Sequence, residues 1–243
     1  MASEIKGPKK LTIIHSADWH VCDDFFKDAQ NCLNFLVSQA QEIRPDLIVI
    51  SGDTYNQRQI RQESAAARLV FETVRELAAI APVVILIGTP SHDGQAPELL
   101  RGINEKHPVW IEGAANNLIV YRAENGQTAI SHPGPDQNDG FIPIAFISCV
   151  PAFTKQHFSS NSDLATSDME IATALASIFA QFGVTANEIH RKVRYQSPGN
   201  PIPHILLGHW SIGGAFIHTT QAITGLDIEI AREHVEMARA DLV

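Results

Sequence analysis

Leu11-Thr-Ile-Ile-His-Ser-Ala-Asp-Trp-His20 is the stretch from which the rest of the chain can be read. The run Leu11 to Ile14 is apolar or β-branched throughout, which suits a strand covered on both faces. It ends in polar residues, and Asp18 and His20 follow with one residue between them. In extended backbone, side chains at i and i+2 point the same way. A carboxylate and an imidazole would then meet at the C-terminal end of a strand, where open α/β sheets hold their ligands. The two together suit one divalent metal. The pair alone also reads as a loop Asp capping the next helix beside a surface His.

Working outward, the segment from Asp23 to Ile43 places Phe26, Ala29, Leu33, Leu36, Val37 and Ala40 at helical spacing. Pro45 ends it, with Asp23 and Asp24 as candidate caps. Asp46-Leu-Ile-Val-Ile50 is a second buried strand running into Ser51-Gly52-Asp53. That spacing implies parallel strands joined by a right-handed crossover. A helix over 62–80 and a strand Val83–Ile87 repeat the unit and lead into Gly88-Thr-Pro-Ser-His-Asp-Gly94, dense in turn formers. Pro97 opens a short helix at its first position. From Pro108 to Pro151, the short runs 109–111, 118–121, 128–131 and 144–148 predict antiparallel strands of a second sheet. A long helix over 168–195, with a break at Gly183, ends in His190-Arg-Lys-Val-Arg194. A strand 203–207 runs into Gly208-His209-Trp210. A helix 228–240 then precedes Asp241-Leu-Val243, which reads as the beginning of a strand.

The 243 residues suit one large domain or two small ones. No composition shift or linker divides them, so residues 1–10 are expected to be a disordered tail and 11–243 one domain. The hydrophobic share of 44% and charged share of 19% are those of a globular protein that folds without staples. Cys22, Cys32 and Cys149 are odd in number and scattered, which points to a reducing compartment, the cytoplasm. The N-terminus has no apolar core of a signal peptide. No run approaches the roughly 18 apolar residues of a membrane span, so no membrane is expected. The net charge of −9 repels nucleic acid in bulk, so any DNA contact needs a local basic patch or metals.

Each of four buried strands ends in a polar punctuation: Asp18-x-His20, Gly52-Asp53, Ser91-His92-Asp93 and Gly208-His209. They would converge on one edge of the sheet. A mixed Asp/His shell with open positions suits Mn, Fe or Zn. In this order the motifs resemble those of the calcineurin-like metallophosphoesterases. The opening Ile14-His-Ser-Ala-Asp-Trp-His20 is similar to that of the DNA-repair exonuclease branch, the double-strand-break repair nucleases. The resemblance runs from about Leu11 to the C-terminus. It implies an α/β fold, a two-sheet β-sandwich flanked by helices in α-β-β-α layers. It also implies two divalent ions, Mn first, with Fe, Zn or Mg as alternatives.

Carried over residue by residue, the resemblance gives Asp18 and His20 to the first ion, Asp53 to both, and His209 to the second. His92 would be a catalytic group that binds no metal and faces the phosphate. Asp93 would orient it through a hydrogen bond. Ser91 stands where the family has a ligating Asn, so a shorter, weaker ligand or a water would complete that shell. No G-H-x-H motif appears, and where it should follow, the chain stops after Val243. The expectation is a catalytic core that is incomplete at its C-terminus, with a weakened first site and a sheet edge open to pairing in a homodimer.

The residues taken singly also have bland readings. His15 reads as a packed or supporting residue and His204 as structural. His218 and His234 read as surface residues or replacement ligands. Trp19 and Trp210 wall the site or merely pack. Arg191, Lys192 and Arg194 form a solvated helix end, where cations suit the dipole, or a DNA contact patch. The leading expectation is a hydrolase, a two-metal phosphodiesterase acting on DNA as exonuclease or endonuclease, with an ATPase subunit as partner by resemblance. The alternatives are a phosphatase or phosphodiesterase for nucleotides or small phosphoesters, and a non-catalytic binding or regulatory module with a degenerate site.

Overall fold

The structure, a computed structural model, describes residues 10–134, 140–153, 158, 168–196, 201–212 and 228–243. The expected tail 1–10, apart from Lys10, and His218 lie outside the described residues. In chain order the elements are β1 Ile13–Ser16, α1 Phe26–Ile43, β2 Leu47–Ser51, α2 Ala65–Ala78, β3 Val83–Leu86, a 3-10 helix Ala96–Gly102, β4 Val109–Glu112, β5 Asn116–Ala123, β6 Thr128–Ser131, β7 Phe141–Val150, α3 Asp168–Gln196, β8 His204–Gly208 and α4 Arg232–Ala238.

Two four-stranded sheets form, in the orders β1-β2-β3-β4 and β6-β5-β7-β8. The first is parallel throughout. In the second, β5 pairs antiparallel with β6 and β7, and β8 lies parallel to β7. One core, with Ile48, Ile50, Val83 and Ile85, lies between the first sheet and helices α1 and α2. A second, with Leu47, Val49, Val84, Leu86, Leu118 and Ile147, lies between the sheets. Phe179, Phe182, Leu206 and Ile230 close the outer face of the second sheet against α3 and α4. The layering is the expected α-β-β-α. Strands β2 and β3 are buried along their whole length. Each fully buried aliphatic side chain there contributes about 1.5–3 kcal/mol.

Four local expectations are corrected. Strand β1 begins two residues later than its apolar run and is half-buried, with His15 exposed, because it is the edge of its sheet. The run 109–111 does not belong to the antiparallel sheet: β4 joins the first sheet parallel to β3. Asp23 does not cap α1. Its Oδ1 accepts from the backbone N–H of Ala66, in the first turn of α2, where Ser64 also caps Ala67. Helix α3 runs unbroken through Gly183, where a Cβ would come within 2.4 Å of the Met237 carbonyl oxygen, so the glycine lets α4 approach.

By length and composition, Met169–Val193 of α3 could cross a membrane, contrary to expectation. Its buried residues Ile171, Leu175, Phe179, Phe182, Ala186, Ile189 and Val193 recur at helical spacing and pack on the second sheet. Near the C-terminus, Leu242 forms a parallel bridge with Ile205, beside β8.

His204 starts β8 fully buried, its Nε2 2.9 Å from Ser148 Oγ and its ring 4.8 Å from that of Phe146. Burial pushes its pKa down to about 4, and the charge of His190 adds to the effect. The Arg239 carbonyl and Asp241 oppose it less strongly. Folding therefore holds His204 neutral while the unfolded chain takes up a proton near pH 6.5. Its contribution to stability is complete above pH 6.5 and is lost as pH falls toward 4, on the order of 3 kcal/mol in all. Denaturation midpoints measured across this window should fall less steeply in His204→Gln than in the parent. Equal slopes would contradict this role.

Candidate metal centre

The polar strand ends do meet at one edge of the sandwich, but not by continuing the strands. Asp18, His20 and Asp53 all have left-handed backbone, with φ of 53°, 44° and 51°. Asp18 and His20 are therefore not an extended i, i+2 pair. A turn, and not the pleat of a strand, brings His20 Nε2 to 3.7 Å from Asp18 Oδ1. Left-handed backbone in non-glycine residues is uncommon and collects at functional sites. It is held here by pairing that outlasts the strands: Asp18 N–H donates to the Gly52 carbonyl, His20 N–H to Asp53 and Val21 N–H to Thr54.

Asp53 lies at the centre, 4% exposed. Its oxygens are not equivalent. Oδ1 accepts from the backbone N–H of Thr89 at 2.6 Å and from its hydroxyl at 3.0 Å. Oδ2 faces His209 Nε2 at 3.2 Å and His20 Nε2 at 3.9 Å. Burial pushes the Asp53 carboxyl up, but the hydrogen bond and charge of His209, helped by Thr89, outweigh it and hold the pKa below the usual value. His209 reaches the site from β8 of the other sheet. Its Nδ1–H donates to the Ser51 carbonyl at 2.7 Å, which turns Nε2 toward Asp53. Burial lowers the pKa of His209, but the hydrogen bond and charge of Asp53 more than reverse this, and it is raised to about 8. A cation taking Nε2 competes with that proton.

Two glycines make the close approach geometrically allowed. Gly52 has φ of +81°, and a Cβ there would stand 2.5 Å from the His209 ring. A Cβ on Gly88 would stand 2.2 Å from Asp53 Oδ1.

The side chains form two groups of potential ligand atoms within 4.8 Å of one another, His20 with Asp53 and His92, and Asp18 with Asp53 and His209. Asp18 and His20, paired in the sequence, are also neighbours in space at 3.7 Å, and each in addition stands with a further histidine, His209 and His92 respectively. Asp53 belongs to both groups. His92 stands edge-on to His20, ring centroids 4.7 Å apart. The Nδ1 atoms of His20 and His92 are buried without a hydrogen-bond partner. Carboxylates, imidazoles and orphaned ring nitrogens together fit divalent cations. Bound there, such ions would acidify a water and draw charge from phosphate oxygens.

Asp93 does not orient His92. Both of its oxygens are engaged elsewhere: Oδ1 accepts from the Thr54 hydroxyl and the Tyr55 N–H, and Oδ2 from the Gly88 N–H. It is fully buried and ties the Asp53 loop to the Gly88 loop. Ser91 is exposed, and its hydroxyl donates to Thr89 Oγ1 at 3.3 Å. Ser91→Asn should place an amide oxygen toward the centre and tighten one ion by about 10-fold. Calorimetric titration with Mn2+ checks this, and unchanged affinity would remove Ser91 from the ligand set. Thr89, which holds Asp53, was not singled out by sequence reasoning, because a Thr after Gly in a turn-rich loop carries no metal signal.

His15 is a supporting residue, its Nε2 2.6 Å from Ser51 Oγ. His234 stacks on Phe179 and accepts from the Ala231 N–H, so it caps α4 away from the centre. Trp210 and Phe153 wall a cleft of about 430 Å3 that also contains Asp18, Thr89 and His209. Trp19 packs instead on the core beneath α1. Arg191 and Lys192 are exposed and do not join the site. Their neighbours Ile189 and Val193 pack with Phe146 and Ile202, at the start of β8, whereas His209 follows its end. The side chain of Arg194 lies outside the described residues. A family model described as calcineurin-like phosphoesterase matches residues 11–158, which include Asp18, His20, Asp53, Ser91 and His92.

Proposed function

The chain belongs to the calcineurin-like phosphoesterase family, and from that premise we propose that it is a metal-dependent phosphodiesterase acting on nucleotidyl diesters, with DNA as the first candidate. The chemistry of the family is metal-dependent hydrolysis of phosphoester bonds. The observation that carries the reading is the convergence of Asp18, His20, His92 and His209 on one shared carboxylate, Asp53. The opening His15-Ser-Ala-Asp-Trp-His20, similar to repair exonucleases, supports the nuclease assignment. The mixed Asp/His shell suits a divalent transition metal, and manganese is put first on the family resemblance. A cytoplasmic location and an ATPase partner subunit belong to the same proposal and rest on the cysteine pattern and the resemblance; a homodimer, paired through an open sheet edge, belongs to it too.

The chain's own groups divide the work. Asp53, fixed by Thr89, sets the position of the centre. His209 is oriented by the Ser51 carbonyl. Water attacks phosphorus in line as the bond to the leaving oxygen breaks; the attacking water releases a proton to solvent, and His92 gives the leaving oxygen one and is reprotonated from solvent.

A second reading is hydrolysis of small nucleotide or other phosphodiesters. It is favoured by the position of Arg191 and Lys192 at the opposite end of β8 and by the net charge of −9. The two readings separate in one assay set: bis-p-nitrophenyl phosphate against single- and double-stranded DNA. In the same set, Arg191→Gln with Lys192→Gln should leave the salt dependence of DNA affinity unchanged. A slope shallower by about one unit per lost contact would return the pair to the DNA interface.

A further inference from the structure

Beyond the metal centre, the same edge of the sandwich holds a second cleft, of about 680 Å3. It lies on the other side of the Gly88–Gly94 loop and shares Ala152 with the first cleft. Its volume is within the roughly 300–1,000 Å3 of small-ligand sites. The back of the cleft is Glu112, the last residue of β4, only 6% exposed. Glu112 Oε1 accepts from the Ala114 N–H at 3.0 Å, and Oε2 is 3.4 Å from the Trp110 ring N–H. Arg101, which also lines the cleft, feels the charge of Glu112, but its guanidinium is hydrogen-bonded to Glu98 and not to Glu112. Each oxygen of Glu112 retains a lone pair, and a buried carboxylate is costly unless donors reach it.

The rest of the lining is flat and apolar or amide-bearing. Ile87, Pro90 and Pro151 offer apolar surface, and Gln59 and Gln95 offer both donors and acceptors. Arg58, at the rim, is exposed and has no carboxylate partner among the described residues. The charge of Arg101 is met by Glu98.

We propose that this cleft is the subsite for the nucleobase of a nucleotide substrate, with Glu112 as the group that reads the base and Arg58 as a phosphate contact. This rests on the reading of the chain as a nucleotidyl phosphodiesterase. A base is a flat ring with apolar faces and polar edges, which matches walls of Ile and Pro around a carboxylate and two amides. A trimethylammonium or aminoethyl headgroup would instead call for an aromatic cage, and no aromatic side chain lines this cleft among the described residues.

The chemistry also ranks the bases. A carboxylate accepts and cannot donate. Guanine presents two adjacent donors, N1–H and the N2 amino group, spaced for the two oxygens of one carboxylate. Adenine and cytosine present one amino group beside a ring acceptor. Uracil and thymine flank their single N–H with carbonyls that a carboxylate repels. Glu112 therefore selects guanine.

The test is calorimetric binding of GMP, AMP, CMP and UMP to the Mn2+-loaded protein, alongside turnover of bis-p-nitrophenyl phosphate. GMP should bind about 10- to 100-fold more tightly than the others, the range of one bidentate base contact. Glu112→Gln keeps an oxygen for the Ala114 N–H and should abolish the ranking while sparing turnover of the base-free diester. Should that variant not fold, 1-methyl-GMP, which lacks the N1–H, makes the same test on the parent and should lose at least 10-fold. Arg58→Gln should weaken all four nucleotides alike. Equal affinity for the four bases, or for GMP and 1-methyl-GMP, overturns the subsite. If the ranking is present without diester turnover, the subsite stands and the hydrolase reading falls. If turnover is present without the ranking, the reverse holds.

Discussion

Asp53→Asn should lower turnover by more than about 100-fold and reduce metal content at both groups together. Loss of a group that only supports a ligand typically costs roughly 10- to 100-fold in metal affinity or activity. Asp53 stands closer to the chemistry than that, because its Oδ2 faces both His209 and His20 and the residue belongs to both ligand groups. Asn keeps the acceptor oxygen for Thr89 but removes the negative charge shared between the groups, so the fold should survive and the centre should not. His20→Ala touches one group only and should lose less metal. Elemental analysis of the purified variants gives the comparison. Parental metal content and turnover in Asp53→Asn would remove Asp53 from the centre.

His92→Ala should lower turnover by about 10²- to 10⁴-fold, the usual worth of a positioned acid or base, and leave two ions bound. The geometry makes this a demanding prediction. His92 stands with His20 and Asp53 in one of the ligand groups, so it has a second role open to it. A ligand and a proton donor differ in what their loss removes. If His92→Ala loses an ion along with its activity, His92 is a ligand, and the proton must come from elsewhere. Retained metal with lost turnover, and a flattened limb in the pH–rate profile, would establish it as the acid.

The parts of the fold that could be read from the sequence are those with a local signal. Strands β2 and β3 are continuous apolar runs because parallel strands are covered on both faces, and their C-terminal ends were legible as Gly52-Asp53 and the Gly88 loop. The place of β4 was not legible. Val109–Glu112 is four residues long, and nothing within it says whether its partner is β3 or a strand of the other sheet. Partner choice is decided by contacts far along the chain.

The same distinction separates the site residues. Asp18, His20, Asp53, His92 and His209 were legible as candidates because each follows an apolar strand in a short polar motif. The backbone that brings them together was not legible: left-handed conformation at Asp18, His20 and Asp53, and not an extended i, i+2 pair, aims the side chains. Asp93 looked like a partner for its neighbour His92, yet its hydrogen bonds go to Thr54, Tyr55 and Gly88. Thr54 and Tyr55 are 39 and 38 residues away in sequence. Glu112 shows the same limit from the other direction. A Glu at a strand end reads as a surface residue, and only the packing of the two sheets buries it beside a cleft.

The central claim is that the Asp53-centred cluster is a metal site that hydrolyses phosphodiesters. The most direct measurement strips the protein with a chelator, titrates Mn2+ back, and follows bound metal and hydrolysis of bis-p-nitrophenyl phosphate on the same sample. The account predicts no turnover in the stripped protein, and turnover that rises in step with occupancy toward two ions per chain. Turnover indifferent to chelation, or a protein that binds no Mn2+ at any concentration tested, would contradict it.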